Sequence, residues 1–417
     1  MKLAPGTPLA IALMIDETEP PLAVGRLAMA GGIAQLEWAA EAIAARQAVS
    51  PIFYPLEPGL HPARNRAFEG LHGFLADSLP DAWGALLLRR RLQKLGHRFE
   101  DLDVAERLAL VGRSGRGALV YRPETLDHTV VNGIDLDLLA EEARHLLLGE
   151  EAQLDDLLVR LGGGSGGARP KVHVVFAADG SLGAGGEALG EEWIVKFAAP
   201  ADAADIGPLE EAYARMARAA GIDMADSRLI PSATGPGHFA TRRFDRPGAG
   251  KRRHMVSLGG AVEASPHIPS LDYDGFLKAT LTITRDMRDV EQAFRRMVFN
   301  VLAHNRDDHV RQHAYLMDER GEWRLAPAFD LTFANGPGGE HYMAVEGEGR
   351  TITRRHVETL GARHGVAPAR VAEIIEAVRD ALGDWPRQAR ATGVGVSLAA
   401  VSEGLEQMDR QFQEGGA

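Results

Sequence analysis

Two short apolar runs, residues 7–15 and 23–29, are flanked by Gly, Pro and acids, and they predict paired strands of a small β-rich module at the N-terminus. From 74 to 95 the pattern lengthens. Trp83, Leu86, Leu87, Arg90, Arg91 and Leu95 recur at helical spacing behind a start signal, Asp77-Ser78-Leu79-Pro80-Asp81. A helix is predicted over about 134–160, ending in the chain's one low-complexity run, Leu161 to Ala168, in which five of eight residues are glycine. Strands follow at 171–176 and 192–197, a helix at about 207–220 closed by Gly221, and strands near 227–231 and 238–244. The rest is predicted mostly helical: 270–304, then helices near 352–363, 367–382 and 397–412. No internal repeat is visible.

The 417 residues suffice for two or three lobes with their own cores. Apolar content of 45% and charged content of 25% are ordinary for globular chains. Cysteine is absent, which excludes disulfides, thiolate zinc sites and a Cys nucleophile. Residues 1–6 carry no signal-peptide apolar core, and no run of about 18 apolar residues could span a bilayer, so a cytoplasmic, non-membrane protein is expected. The formal charge of −12 argues against broad nucleic-acid binding by the chain itself. The basic clusters Arg89-Arg90-Arg91 and Lys251-Arg252-Arg253 are expected to be solvated edges.

Three features carry candidate chemistry. The run Gly162–Gly167, followed by Ala168-Arg169-Pro170-Lys171, offers backbone N–H groups without obstructing Cβ atoms, plus two cations. Such a loop can cradle phosphate, although it matches neither the Walker nor the Rossmann pattern. In Trp193-Ile194-Val195-Lys196-Phe197, alternation places Lys196 on one face with Ile194. A buried ammonium there needs an anionic partner, for which the helix bearing Glu210 and Glu211 is the source. The third feature is His304-Asn305-Arg306-Asp307-Asp308-His309-Val310-Arg311-Gln312-His313, with Asp330 following 23 residues after Asp307. Asp307 could orient an attacking hydroxyl, and Gln312 and Asp330 could offer oxygens to a hard cation such as Mg²⁺. His304, Asp307, Asp308, His309 and His313 could alternatively bind a transition metal, which would point to a hydrolase.

Together these segments resemble the HipA-type toxin kinases of type II toxin–antitoxin systems, in order and nearly end to end. The resemblance rests on Asp77–Gly84 in the N-terminal part, Gly166-Gly167-Ala168-Arg169-Pro170-Lys171 as phosphate loop, and Trp193–Phe197 as the lysine strand. It continues in Arg243-Phe244-Asp245-Arg246 as hinge, Asn305–His309 as catalytic loop and Ala326–Leu331 as metal segment.

The resemblance implies an α+β, kinase-like two-lobed fold: an N-terminal subdomain (1–125), a mixed N-lobe (126–246) and a mainly helical C-lobe (247–417). It implies an ATP- and Mg²⁺-dependent Ser/Thr kinase with Asp307 as the catalytic base or hydroxyl-orienting acid. Gly166, Gly167, Ala168, Arg169 and Lys171 would cradle phosphate, and Lys196 would be paired to Glu211. Arg242 and Phe244 would line the adenine site, with His309 near the nucleotide and Asp330 and Gln312 on the metal. Ser165 is the candidate for autophosphorylation. The implied partners are a HipB-like helix-turn-helix antitoxin, operator DNA through that antitoxin, and a protein substrate in translation such as an aminoacyl-tRNA synthetase. Two positions depart from the usual loop: Gln312 replaces Asn, one methylene longer, and Arg311 replaces Lys. The alternative is a catalytically weak regulatory subunit with a kinase fold, binding nucleotide and an antitoxin–DNA complex.

Overall fold

The computed structural model describes residues 7–124, 131–164, 166–184 and 190–414. Its strands form three antiparallel sheets. In the first, β1 (Leu9–Leu13), β2 (Leu22–Ala30), β3 (Ile33–Trp38), β4 (Leu60–Pro62) and β5 (Leu119–Arg122) run in the order β4-β3-β2-β1-β5. Residues 7–15 and 23–29 do pair, Ile11 opposite Gly25. The inward residues Leu9, Ile11, Val24, Leu27 and Leu36 are buried.

The second sheet contains β6 (Val131–Asn132), β7 (Lys171–Phe176), β8 (Leu182–Ala184), β9 (Glu191–Lys196), β10 (Ser227–Ile230) and β11 (His238–Arg242), in the order β10-β11-β9-β7-β8-β6. The third is β12 (His254–Ser257), β13 (Ala314–Met317) and β14 (Trp323–Leu325).

The helices are α1 (Ala40–Ala45), α2 (Gly73–Ala76), α3 (Ala82–Lys94), α4 (Val104–Val111), α5 (Leu136–Leu147), α6 (Asp155–Gly162), α7 (Ile206–Ala219) and α8 (Leu258–Val262). They continue with α9 (Tyr273–Thr284), α10 (Met287–Leu302), α11 (Arg354–Arg363), α12 (Pro368–Gly383), α13 (Trp385–Thr392) and α14 (Leu398–Glu414).

Three spans predicted to be helical turn out divided. The helix expected over 74–95 is interrupted by Asp77–Asp81, because Pro80 disfavours helical backbone at Leu79. The span 134–160 breaks after Leu147, and the Glu142 carboxylate accepts from the N–H groups of Gln153 (2.5 Å) and Leu154 (2.8 Å), seating the start of α6. The span 270–304 breaks at Arg285 (φ 53°), after which Asp286 caps α10 by accepting from Arg288 N–H at 2.8 Å.

One large core joins the first sheet to α7, α9, α10 and α12, so the N-terminal part packs on the helical part rather than standing apart. Helix α10 is buried along most of its length, with Phe294, Met297, Val298 and Val301 all fully enclosed. A second core lies behind the second sheet. There Trp193, Val195, Val172, Val174 and Ala240 meet Trp83 and Leu87 of α3 and Leu139 of α5. Alternation therefore sends Lys171, Ile194 and Lys196 to the opposite face, toward the helical lobe.

Candidate active site

The third sheet explains how Asp307 and Asp330 meet. The segment 304–313 leads into β13, and 326–331 leaves β14, so the antiparallel pairing of β13 with β14 carries both to the same end of the sheet. There Asn305 and Ala334 bridge, with Arg306 N–H donating to Ala334 C=O at 3.0 Å and Ala334 N–H to His304 C=O at 3.0 Å. His304 (φ 54°) and Asp330 (φ 58°) both adopt left-handed backbone, a conformation that costs a non-glycine residue and persists where surrounding contacts impose it.

Asp308 is the anchor of this loop. It is fully buried and accepts from Tyr273 O–H (2.6 Å), His341 Nδ1–H (2.8 Å) and the Tyr342 N–H (2.8 Å). Burial pushes its carboxyl up, but His341 and these hydrogen bonds outweigh that and keep it below its ordinary value. Asn300 Nδ2 donates to Tyr273 Oη at 3.0 Å and Asn305 Nδ2 to Asn300 Oδ1 at 2.9 Å, extending the network back to α10.

Asp307, next to it, has no such partners among the described residues. Its side chain is half-exposed, and His309 Nε2 stands 3.9 Å away. Partial burial raises its carboxyl above the ordinary value; His309 opposes this while Asp330 and Asp308 reinforce it.

Lys196 projects between the lobes and donates to Glu210 Oε2 at 2.7 Å and to Asp330 Oδ1. Burial disfavours its charge, yet Asp330 and Glu210 more than compensate and raise its pKa. Asp330 is held far below the carboxylate range: desolvation is outweighed by Lys196, Lys171 and Arg169. Gln312 Nε2 donates to Asp330 Oδ2 at 3.1 Å.

Lys171 stands directly opposite Lys196 across β7 and β9. It is buried and donates to Gly166 C=O, and its pKa is lowered to about 8 by burial first and by Lys196 second. Arg169 bonds Glu210 Oε1 (2.9 Å) and Asp202 (3.2 Å). Gly167 has φ of +87°, a backbone conformation that favours glycine. The predicted groups Gly166, Gly167, Arg169, Lys171, Lys196, Asp307, Gln312 and Asp330 thus converge on one cleft, with Ala168 in the same loop. Ser165 lies outside the described residues.

Two expected contacts differ. Lys196 pairs with Glu210, not Glu211. Consecutive helical residues point about 100° apart, and Glu211 turns to Arg215 Nε (2.7 Å) and Ser227 O–H (2.7 Å), which both donate to it. Arg242 is likewise displaced. It stands opposite Trp193, on the other sheet face from Lys196, and its side chain reaches Glu191 (3.3 Å) and Asp226 (3.6 Å). Its N–H donates to Asp226 C=O at 2.8 Å. Phe244 has its ring 5.6 Å from that of Phe329, the residue before Asp330, and both pack on the small apolar cluster of Met255, Ala314, Leu316 and Ala326.

The transition-metal alternative does not assemble. His304 stacks on Phe333, His313 is buried against Phe276 at 4.1 Å, and Asp308 is consumed by the loop network. Among the described residues no group of three or more such ligands is placed to hold a metal. None of their helices is long and apolar enough to cross a membrane. A cavity of about 430 Å³ lies behind the Lys196–Glu210 pair, lined by Asp137, Arg144, Gly207, Pro236 and His238, and Asp307 and Asp330 do not border it.

Comparison with known proteins agrees with this geometry. Residues 21–122 match the model of the HipA N-terminal domain, and residues 163–385 that of the HipA-like C-terminal domain. Two curated proteins described as "Putative kinase" are similar. Y4dM of Sinorhizobium fredii is 28% identical over 167 residues (36% of this chain, 40% of that protein). A protein of Haemophilus influenzae is 25% identical over 135 residues (29% and 39%). The chain's matches thus span about two fifths of the length of these relatives. Among solved structures, Shewanella oneidensis HipA, determined with HipB and operator DNA, superposes with a TM-score of 0.68 at 15% identity, over 97% of this chain and 95% of that one. At that identity the likeness speaks for the fold, which is the α+β, kinase-like fold expected from the sequence. With family models matching both its N-terminal domain and more than half of its length beyond, the chain belongs to the HipA family.

Proposed function

We propose that the protein is an ATP- and Mg²⁺-dependent protein serine/threonine kinase acting as the toxin of a toxin–antitoxin pair. The observation that carries this reading is the Lys196 ammonium held between Glu210 and Asp330, with Asp307 and the glycine loop in the same cleft. Transfer of a phosphoryl group to a hydroxyl needs positioned charge more than covalent help. Lys196, Lys171 and Arg169 supply positive charge for phosphate oxygens, and Gly166, Ala168 and Arg169 supply N–H groups, that of Gly167 being donated to Asp81. Asp307, unshared and with its pKa raised, is suited to accept a hydrogen bond or proton from the incoming serine or threonine hydroxyl.

The donors fit a hard divalent cation: Asp330 is ionised and partly exposed, and the Gln312 carboxamide adjoins it. Those two would hold Mg²⁺, which when bound neutralises phosphate charge. Phe244 and Phe329 offer an apolar wall for a base. By likeness to the Shewanella complex, a HipB-like helix-turn-helix protein is the proposed partner, tethering the chain to operator DNA. A translation component, an aminoacyl-tRNA synthetase first, is the proposed substrate.

Phosphoproteomic comparison of cells expressing wild type and Asp330→Ala tests the activity and finds the target. Sites present only with wild type are expected, and an empty difference would sink the kinase reading. One observation favours a second reading, a weak kinase serving as regulatory subunit: Gln312 presents its NH₂, not its oxygen, to Asp330. If wild type transfers no phosphate while Gln312→Asn does, that second reading prevails.

A further inference from the structure

The N-terminal domain reaches into the candidate phosphate site at two points. Asp81, just before α3, has one carboxylate oxygen accepting the Gly167 N–H at 2.8 Å, while the other is ion-paired with Arg311 Nη1 of the catalytic loop. Arg116 approaches the same carboxylate at 3.6 Å, and its guanidinium fills the place a Cβ of Gly166 would take, within 2.8 Å. Ser114 C=O does the same at Gly164, at 2.6 Å. Residues 115–117 also grip the segment after β11. Gly117 N–H donates to Asp245 Oδ2 (2.8 Å), and Arg246 donates to Gly117 C=O (2.8 Å) and Gly115 C=O (3.1 Å).

Burial pushes the Asp81 carboxyl up, but Arg116 and Arg311 outweigh it and hold the group ionised below its ordinary range. Arg311, where the family's loop usually has Lys, uses its fork: Nη1 engages Asp81 while Nε stands 4.0 Å from Asp77. A lysine could occupy only one of those positions.

We propose that Asp81 and Arg311 form a latch by which the N-terminal domain fixes the glycine loop to the catalytic loop, making Asp81 a positioning residue of the phosphate site. The latch is a property of the free protein. Its effect on nucleotide affinity rests on the kinase reading above.

Hydrogen exchange at the amides of Gly166 to Arg169, measured on the full chain without nucleotide, tests it. Asp81→Asn keeps an acceptor for Gly167 but removes the charge, and Arg311→Met removes the other partner. Each is expected to speed loop exchange about tenfold while α12 exchanges as in wild type. The double variant should be no faster than the faster single, because both break one interaction. Unchanged loop exchange in the singles, or multiplied effects in the double, overturns the latch. If Asp81→Asn does not fold, Arg311→Met and Arg311→Lys decide the matter, Lys being expected to restore little protection.

Binding of a fluorescent ADP analogue then reads the consequence. About tenfold weaker binding is expected in Asp81→Asn, and an unchanged Kd overturns the coupling to the site. If wild type binds no nucleotide, the kinase reading falls and the exchange data alone judge the latch.

Discussion

Glu210 and Glu211 are adjacent and equally buried, yet only one touches Lys196. Glu210→Gln is expected to lower phosphotransfer by about 10²-fold or more, the scale of losing one charge-positioning group, whereas Glu211→Gln should change it less than about threefold. Steady-state phosphotransfer from labelled ATP distinguishes them, and equal losses would reverse the assignment. Lys171 gives a pH signature. Its folded pKa of about 8 lies below the unfolded 10.5, so between those values the unfolded chain binds the extra proton and stability rises with pH. Denaturant unfolding of wild type minus Lys171→Met should show that gain, up to about 3 kcal/mol, between pH 8 and 10.5. A flat difference would mean that Lys171 stays charged in the fold.

At the scale of elements, two side chains of the catalytic loop, Asp308 and Arg306, help secure the segment after Asp330. Asp308 accepts from Tyr273, His341 and Tyr342, and Arg306 Nη1 adds a hydrogen bond to Gly339 C=O at 2.7 Å. The 334–345 stretch is thus held by buried hydrogen bonds and a backbone carbonyl. Asp308→Ala leaves a buried hydroxyl and imidazole without their acceptor. It is expected to cost about 3 kcal/mol or more and to open 336–350 to limited proteolysis before global unfolding. Wild-type protease resistance in this variant would show that other contacts order the segment.

For the whole molecule, the joint between the N-terminal and helical parts is close-packed and polar at once. Asp77 accepts from Ser257 N–H (2.5 Å) and O–H (2.7 Å), and Tyr54 and Asn65 reach Glu263. A Cβ on Gly260 would come within 2.3 Å of the Asp77 carboxylate and 2.9 Å of the Gly73 carbonyl. Gly260→Ala should therefore destabilise by about 1–3 kcal/mol. Because one core spans the joint, unfolding followed by Trp fluorescence and by far-UV CD should remain a single transition. Separate transitions for the N-terminal and helical parts would show that they fold independently.

The sequence alone determined the paired strands β1 and β2, the strands and helix around Lys196, the C-terminal helices α11, α12 and α14, the absence of thiol chemistry and the segments that build the cleft, but not the third sheet, whose strands it did not predict. Those follow from local periodicity and from residue types at fixed spacing, properties carried within a dozen residues. It left open which of two adjacent glutamates meets Lys196, because a helix's rotation about its axis is set by what it packs against. It left open the face taken by Arg242, since that depends on strand register with β9. It likewise left Asp77 and Asp81 as helix-start residues, whereas the fold turns their carboxylates to Ser257 and to Gly167 with Arg311. Those partners lie 180, 86 and 230 residues away. Contacts at such separations arise only when the sheets and α10 pack together, so the tertiary structure alone decided them.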